Sequence, residues 1–511
     1  MSQLLARKSV AELTADLGSE GQGLKRVMGK WELTALGVGA VIGAGIFATT
    51  GSAIAGEVGV RPGAGPAIVL SYLLTAFTCG LAALCYAEFA AMVPVSGSAY
   101  TYAYASLGEL VAWIIGWDLI IEYAVGNIAV AISWAGYFRE LMGLVGIDIP
   151  AWLTTDYRTA FQAAADVAAG ATDAVTLELA SATTSAPIVA GIPIIFNLPA
   201  VLIVVAITAL LVYGIRETSF SNAVLVLLKV GILMFFVAVG AFFIRPENYT
   251  ANGGFAPNGF GGISAAAAII FFSYIGFDAV STAAEEAKDP ARDVPFGIIA
   301  SLVVCTLIFI LVAAVMVGMA DWRSLGTAEP LLTALNLASG SPALLGFSRV
   351  LVAVGAVVAM TTVLLVFQLG QPRIFFSMAR DGLLPPWAAK IHPRFRTPHV
   401  TTILTGAFVA FFAAFANINE VVDLTNIGTL FAFLLVSAGI LVLRAKEPDR
   451  PRPFRTPFVP LVPVLSIASC LFLMLQLPLV TWIRFGLWLA LGLVIYFLYG
   501  YRKSRLRGDR R

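Results

Sequence analysis

The stretch Gly37–Phe47, GVGAVIGAGIF, places four glycines inside an otherwise apolar run. The chain has 511 residues, of which 59% are hydrophobic and 12% charged, about half the charged fraction of an ordinary soluble protein. The run is therefore expected to span a membrane, and Gly43 and Gly45 would weaken it near its middle. Glycines in membrane helices often serve close helix packing, so a second interruption elsewhere would favour a break instead.

Twelve apolar runs are long enough to be candidate membrane helices, since crossing the hydrocarbon core takes roughly 20 residues. Their approximate limits are 33–56, 66–93, 110–138, 198–214, 220–244, 260–285, 295–319, 343–370, 399–417, 421–443, 457–478 and 483–501. The sequence thus predicts an all-α integral membrane protein with twelve transmembrane helices. The longest loop, 143–197, is rich in Ala and Thr, and its alanine-rich part is expected to form a short helix.

The distribution of basic residues orients the chain. With the N-terminus inside, the inner loops and termini hold 24 Lys and Arg against seven in the outer loops, and Lys229 lies within a span. Such a bias predicts a multi-pass plasma membrane protein with both termini in the cytoplasm. The net charge of +2 gives no polybasic signal for nucleic acid.

The sixth run, ISAAAAIIFFSYIGFDAVSTAAEEAKDP, contains a matching interruption at Ser273–Gly276. At 1.5 Å per residue, Gly43–Gly45 and Ser273–Gly276 both lie about 15–20 Å into a core about 30 Å thick. Paired glycine-interrupted helices at the start of two halves indicate an inverted-repeat transporter. The expected organisation is an N-terminal cytoplasmic segment, two five-helix repeats, a C-terminal helix pair and a basic cytoplasmic tail. Their limits are 1–32, 33–244, 260–443, 457–501 and 502–511.

An interrupted membrane helix has a chemical use. Unwinding frees backbone N–H and C=O groups that lipid cannot satisfy, so they must face a cavity or a ligand. Freed N–H groups suit a carboxylate, and freed carbonyls suit an ammonium group. Two such breaks could hold the zwitterionic head of an amino acid with few charged side chains.

Three long motifs accompany GVGAVIGAGIF, at Tyr86–Gly126, Phe271–Ile298 and Gly370–Trp387 (GQPRIFFSMARDGLLPPW). Together, over roughly 25–500, they resemble the bacterial type of the cationic amino acid transporter family, in the amino acid–polyamine–organocation superfamily. The resemblance implies a five-plus-five inverted-repeat (LeuT-type) fold with discontinuous helices 1 and 6 and two further C-terminal helices. It also implies proton-linked uptake of amino acids.

The resemblance implies roles for residues on the first broken helix. Gly43, Ala44 and Gly45 match the segment whose amides, those of Ala44 and Gly45, hold the substrate carboxylate. Val41 matches a backbone carbonyl that binds the amino group. Many members carry Thr or Ser where this chain has Ala44, so the hydroxyl that they offer is missing here.

The resemblance also implies roles on the sixth and eighth helices. Phe272, Ser273 and Ile275 match the wall formed by the sixth helix, with Phe272 as an outer gate. Asp278 matches the aspartate that follows the break. On the eighth helix, Met360 and Thr361 are expected to line the side-chain end of the site, where a bulky Met would favour small substrates.

Lys229 is expected to be the proton-coupling group. By rise per residue it lies about 12 Å from the cytoplasmic end of its span, where an ammonium must be paired or neutralised. The resemblance implies that this lysine replaces the sodium ion of related transporters. Asp118 and Glu122 lie on one face of predicted helix 3. Their depth in the membrane favours Asp118 as the partner of Lys229. The family pattern favours Glu122, which is the partner that we predict.

Glu88, near the inner end of its span, is a secondary candidate. A structural or gate contact competes there with a coupling role, and Asp118 and Asp278 are the other candidates for gate positions.

The predicted function is proton-coupled uptake of small neutral L-amino acids such as alanine by alternating access. A transporter or exchanger of arginine, lysine or ornithine is the alternative, although no spare acid lies at the depth of Met360. A sensor with the transporter fold, which would bind without flux, is a more remote one.

An enzyme is not expected, because the sequence shows no metal-ligand cluster, nucleophile elbow or intramembrane histidine. No cofactor or metal is expected beyond protons as the coupling ion. No obligatory glycoprotein subunit is expected either, since 143–197 contains no cysteine for a linking disulfide.

Overall fold

The computed structural model describes residues 6–8, 27–57, 59–93, 98–171, 174–214, 219–338, 341–395 and 397–508. The predicted N-terminal segment 1–32 lies outside these ranges except for 6–8 and 27–32. The predicted basic tail 502–511 lies outside them beyond 508.

Helices dominate the described chain. In order they are α1 (Lys30–Val41), α2 (Thr50–Ala55), α3 (Ile68–Met92), α4 (Ser98–Ser106), α5 (Glu109–Ile120), α6 (Gly126–Leu144), α7 (Tyr157–Ala168), α8 (Ala174–Ser185), α9 (Leu198–Tyr213), α10 (Ser219–Gly240), α11 (Gly259–Ile270), α12 (Ala279–Thr282), α13 (Pro290–Met319), α14 (Pro330–Leu337), α15 (Pro342–Arg380), α16 (His399–Phe415), α17 (Ile418–Lys446), α18 (Leu461–Leu475), α19 (Leu479–Ile495), α20 (Tyr501–Lys503) and α21 (Arg505–Gly508). Two antiparallel two-stranded hairpins, β1–β2 (Gly56–Glu57, Arg61–Pro62) and β3–β4 (Ile188–Val189, Ile192–Pro193), lie in the loops.

Among the described residues, eight helical segments are long and apolar enough to cross a membrane, and α1 with α2, bent by 40°, makes up to nine. Three further apolar helices, α9, α16 and α18, are shorter. Every predicted run coincides with one of these helices. The predicted short helix in 143–197 is present, and a second one accompanies it, as α7 and α8.

The bundle reverses the polarity of a soluble protein. Large apolar side chains face outward, as with Leu227 and Phe242, which are 72% and 86% exposed. Ionisable groups lie inside, as with Lys229 and Glu122, which are 2% and 3% exposed. Charged groups inside a membrane bundle generally serve function, because their burial is costly.

The first predicted break lies between α1 and α2. Helix α1 ends at Val41, Ile42 is extended, and a wide π-helical turn over Gly45–Thr49 leads into α2. Gly43 and Ala44, which have no side chain or a small one, thus allow the chain to change direction inside the bundle. All residues from Gly37 to Thr50 are buried.

The second predicted break follows α11. A 3₁₀ turn over Phe271–Tyr274 leads to the extended residue Ile275, and α12 begins at Ala279. Gly276 has φ +114°, a conformation that residues with a Cβ rarely adopt. The predicted interruption at Ser273–Gly276 is therefore confirmed in the geometry of the chain.

The two breaks touch each other. A Cβ on Gly45 would overlap the backbone of Ser273, and a Cβ on Gly276 would lie 3.0 Å from the carbonyl of Ala40. Glycine is thus required on both sides of the contact, because each backbone approaches the other without an intervening side chain. The two interruptions therefore pack against each other and are not two separate kinks.

A buried acid fastens the loop between α13 and α15. Glu329, 9% exposed, precedes α14 and packs against Gly136 of α6. Burial raises the pKa of Glu329 to about 7; the nearby Arg139 opposes this rise, whereas Glu140 and Glu178 add to it. The contribution of this carboxyl group to stability is therefore expected to change near neutral pH.

Gly45→Ala should destabilise the contact between the breaks. The new methyl group meets a backbone that cannot rotate away, and overpacking of this kind costs about 1–3 kcal/mol. We expect a lower Tm in detergent and loss of uptake. Gly231→Ala is the matched control, because nothing lies within 4 Å of a Cβ there. A Gly45→Ala protein with the control's Tm would contradict the contact.

Glu329→Gln should remove part of the pH dependence of stability. The folded pKa of about 7 exceeds the ordinary 4.5, so the stability contributed by this group falls as pH rises between these values. The full shift corresponds to about 3 kcal/mol. The glutamine variant cannot ionise. Its Tm should therefore exceed that of the wild type by a margin that grows from pH 5 to pH 8. The exposed Glu247→Gln should track the wild type, and equal pH profiles for Glu329→Gln would refute the assignment.

Candidate functional site

The break between α1 and α2 presents unpaired amides. Within the described part of the chain, the N–H groups of Gly43, Ala44 and Gly45 donate no hydrogen bond. The carbonyl of Val41 accepts none from the same residues. Since buried backbone groups are nearly always paired, this cluster of donors beside an acceptor is suited to a ligand with opposite charges on neighbouring atoms.

Lys229 binds the other carbonyls of this break. From α10 its ammonium donates to the carbonyl of Gly39 at 2.7 Å and to that of Ile42 at 3.2 Å. These carbonyls would otherwise be left without a partner where α1 ends. The lysine therefore satisfies backbone acceptors that the broken helix cannot satisfy itself.

Asn426 likewise satisfies backbone carbonyls at the second break. Its amide Nδ2 on α17 donates to the carbonyls of Ala268 and Ile269, at 2.8 and 3.1 Å, in the last turn of α11. Sequence reasoning missed this residue. A buried amide within an apolar run was the available signal, but its direction depends on how α17 is rotated.

Helix α15 packs against the first break. The side chain of Val363 lies 2.8 Å from the position of a Cβ on Gly43, and Met360, one turn earlier, is fully buried. Val363 was not predicted, although its spacing of three from Met360 places both on one helical face. The hydroxyl of Thr361 accepts a hydrogen bond from Trp134 Nε1 of α6 at 2.9 Å, and its predicted place in the site stays a prediction.

The predicted site residues that follow α11 are also buried. Phe272, Ser273 and Ile275 are at most 5% exposed, in the 3₁₀ turn and the extended segment that follow α11. Val41 and Ala44 at the first break are likewise 3% and 2% exposed. The predicted substrate-binding residues of the two breaks are thus brought together.

Three acids lie in the bundle beside the site. Glu122 sits in a π-helical turn, Ile121–Val125, a distortion often found at functional sites. Its polar neighbours include Asp278, Asp118 and Thr429. Asp118 packs against Gly428 of α17, with Oδ1 2.8 Å from the position of a Cβ. The predicted pairing of Glu122 with Lys229 stays a prediction.

Glu88 ties two elements together at one end of the bundle. Its carboxylate accepts hydrogen bonds from Arg444 at 2.7 and 3.0 Å and from the amide of Thr456 at 2.7 Å, and it lies 3.2 Å from Arg452. These contacts join α3 to the end of α17 and the loop after it. This arrangement corresponds to the structural alternative for Glu88.

A buried ion pair joins two elements at the end of the bundle opposite Glu88. Arg61 Nη1, in the hairpin after α2, donates to Asp423 of α17 at 2.7 Å and also pairs with Glu57. Ser52 of α2 bonds Asn419 nearby at 3.1 Å. Sequence reasoning missed this pair because the two charges lie 362 residues apart. The α2 half of the broken helix is thereby fastened to α17.

The sequence model of the amino acid permease family matches residues 28–497. The branched-chain amino acid permease BcaP of Bacillus subtilis is 44% identical, over 98% of each chain. The methylthioribose transporter of Bacillus subtilis is 41% identical, over 99% of this chain and all of its own length. The vacuolar cationic amino acid transporter 4 of Arabidopsis thaliana is 34% identical, over 88% of this chain and 68% of its own.

The match covers both breaks and almost all of the apolar helices. Bacterial relatives of this kind, together with the helices of membrane-spanning length, identify a multi-pass plasma membrane protein. This is a family of permeases rather than of enzymes, and its members bind small molecules within a bilayer. The chain belongs to the amino acid permease family of the amino acid–polyamine–organocation superfamily.

Proposed function

We propose that the protein is a secondary active transporter that takes up neutral L-amino acids together with protons by alternating access. The observation that carries this proposal is the contact between two broken helices, where three amides that donate no hydrogen bond lie beside the carbonyl of Val41. The substrate carboxylate would accept from the amides of Ala44 and Gly45. Its ammonium group would donate to the carbonyl of Val41.

The overall topology is part of this proposal. The eight spans, the bent pair and three shorter apolar helices fit twelve crossings in a five-plus-five inverted repeat followed by two helices. The positive-inside bias supports cytoplasmic termini. In this arrangement α1 and α11 begin the two repeats, and their breaks meet at the centre.

The side-chain end supports a neutral substrate. Val363, Met360 and Phe272 are apolar and buried around the break, so a charged side chain would lose hydration there without compensation. A relative named for branched-chain amino acids supports apolar substrates, and the tight approach of Val363 to Gly43 favours small ones such as alanine. Relatives named for cationic amino acids keep arginine, lysine or ornithine as the alternative.

Lys229 would couple the proton to movement of α1. While protonated, it holds the carbonyls of Gly39 and Ile42. When the proton leaves, the positive charge is lost and these bonds weaken, so the inner half of the broken helix can separate from α10. Glu122, with Asp278 nearby, would exchange that proton along the bundle.

Uptake into proteoliposomes tests the function. With an inward proton gradient, saturable uptake of labelled alanine and leucine is expected, and collapse of the gradient should abolish accumulation. Arginine and methylthioribose serve as competing substrates. Saturable arginine uptake without alanine uptake would establish the cationic alternative. A thermal shift with alanine but no flux would indicate a sensor.

Lys229→Met should uncouple transport. Methionine keeps the length of the side chain but leaves two buried carbonyls unpaired, at about 1–3 kcal/mol. Accumulation driven by a pH gradient should fall to passive equilibration, while alanine still raises the Tm. Lys30→Met, at the exposed start of α1, should behave as wild type. Concentrative uptake by Lys229→Met under an imposed gradient would disprove the proton role.

A further inference from the structure

A short hairpin without a polar side chain lies in the loop between α6 and α9. It consists of β3 and β4, and the segment 187–195 that contains both strands reads PIVAGIPII. The turn between them is formed by Ala190 and Gly191, with φ +51° and +83°. Hairpin turns with two positive φ values favour Asn-Gly or Asp-Gly, so Ala190 stands where a polar residue would suit the backbone better. The turn geometry therefore does not explain the apolar composition of the hairpin.

Both faces of the hairpin are apolar and exposed. Val189 and Ile192, which pair across the two strands, are 60% and 58% exposed on one face. Ile188 is 71% exposed and lies on the other face, because side chains alternate along a strand. An antiparallel ribbon on a protein surface commonly buries one apolar face and presents polar groups to water on the other. Apolar side chains on both faces indicate instead that an apolar medium surrounds the hairpin.

The backbone fixes the hairpin at one end of the membrane bundle. The N–H group of Asn197, just before α9, donates to the carbonyl of Ala414 in the last turn of α16 at 2.9 Å. The N–H group of Phe196 donates to the carbonyl of Trp152 at 3.0 Å. Because β4 ends at Pro193, shortly before these bonds, the hairpin lies beside the start of α9 and the end of α16.

The apolar outer surface of the bundle continues to this end. Leu202, one turn into α9, is exposed, as are Phe411 and Phe415 in the last turns of α16. On a membrane protein, exposed apolar side chains of this kind contact lipid. The hairpin follows directly from this surface, so it extends the contact with lipid toward the headgroups.

We propose that the hairpin inserts into the membrane at the boundary between headgroups and acyl chains. Each strand has two residues, which at about 3.4 Å per residue span roughly 7 Å. Apolar faces of interfacial segments are typically buried to a similar depth, about 5–10 Å. A second copy of the chain would cover one face of so short a ribbon, whereas acyl chains surround both. In the proposed topology the hairpin tethers the loop that carries α7 and α8 to the outer leaflet.

Fluorescence of single labelled cysteines tests the insertion. Ile188→Cys and Val189→Cys, one on each face, are labelled with the environment-sensitive dye NBD in vesicles of phosphatidylethanolamine and phosphatidylglycerol. The four native cysteines are buried, and labelled wild type gives the background. Emission from both positions should shift to shorter wavelength. A lipid with a doxyl group near its headgroup should quench both labels several-fold more than a lipid with the doxyl group at its chain end, because interfacial insertion is shallow.

Gln162→Cys is the matched control. Its side chain is exposed on α7, where its amide donates to the carboxylate of Asp166 at 3.3 Å, on a polar face. The label there should keep the emission of a dye in water and should be quenched only weakly by either lipid.

Aqueous emission from both hairpin positions would overturn the proposal. A shift to shorter wavelength without quenching by lipid, or quenching at only one of Ile188 and Val189, would show that protein covers the hairpin and would overturn it too. Ile192→Cys, at the position paired with Val189, serves if Val189→Cys does not fold and should give the same shift and quenching.

Discussion

The structure depends on the pairing of backbone groups that two broken helices release inside a membrane protein. Lipid offers no hydrogen bonds, so each freed N–H or C=O must find a partner in the protein or in a ligand. Gly45 and Gly276 let the two interruptions meet, which places all of these groups together and away from lipid. Some are satisfied by side chains, and those that remain are the groups to which we propose that a zwitterion binds.

Lys229 and Asn426 satisfy carbonyls at the two breaks, each from the last helix of a proposed repeat. The two side chains differ in one physical respect. An amide keeps its donors at every physiological pH, whereas an ammonium loses its charge and a donor when a proton leaves. In the proposed mechanism, the hydrogen bonds of Asn426 at the break of α11 are therefore kept at every physiological pH, whereas those of Lys229 at the break of α1 would weaken when its proton leaves.

The apolar runs and both breaks could be predicted from sequence, because hydrocarbon thickness sets the length of a run and glycine marks where a helix can open. Other features could not. The contacts of Val363 and Asn426 depend on the rotation of each helix about its axis. The pair Arg61–Asp423 joins distant parts of the chain. For Lys229, reasoning from charge looks for an acid and overlooks backbone carbonyls, which exist as partners only after the helix breaks.

In the proposed site, recognition of the substrate head by backbone groups would separate specificity from coupling. The amides and carbonyls at Val41–Gly45 would bind the part that all amino acids share, so they would carry no information about the side chain. That information would come from α15, at Val363 and Met360, whereas the proposed coupling group lies on α10. Because these groups lie on different helices, a change in the wall at α15 would alter the preferred side chain and leave the hydrogen bonds of Lys229 in place.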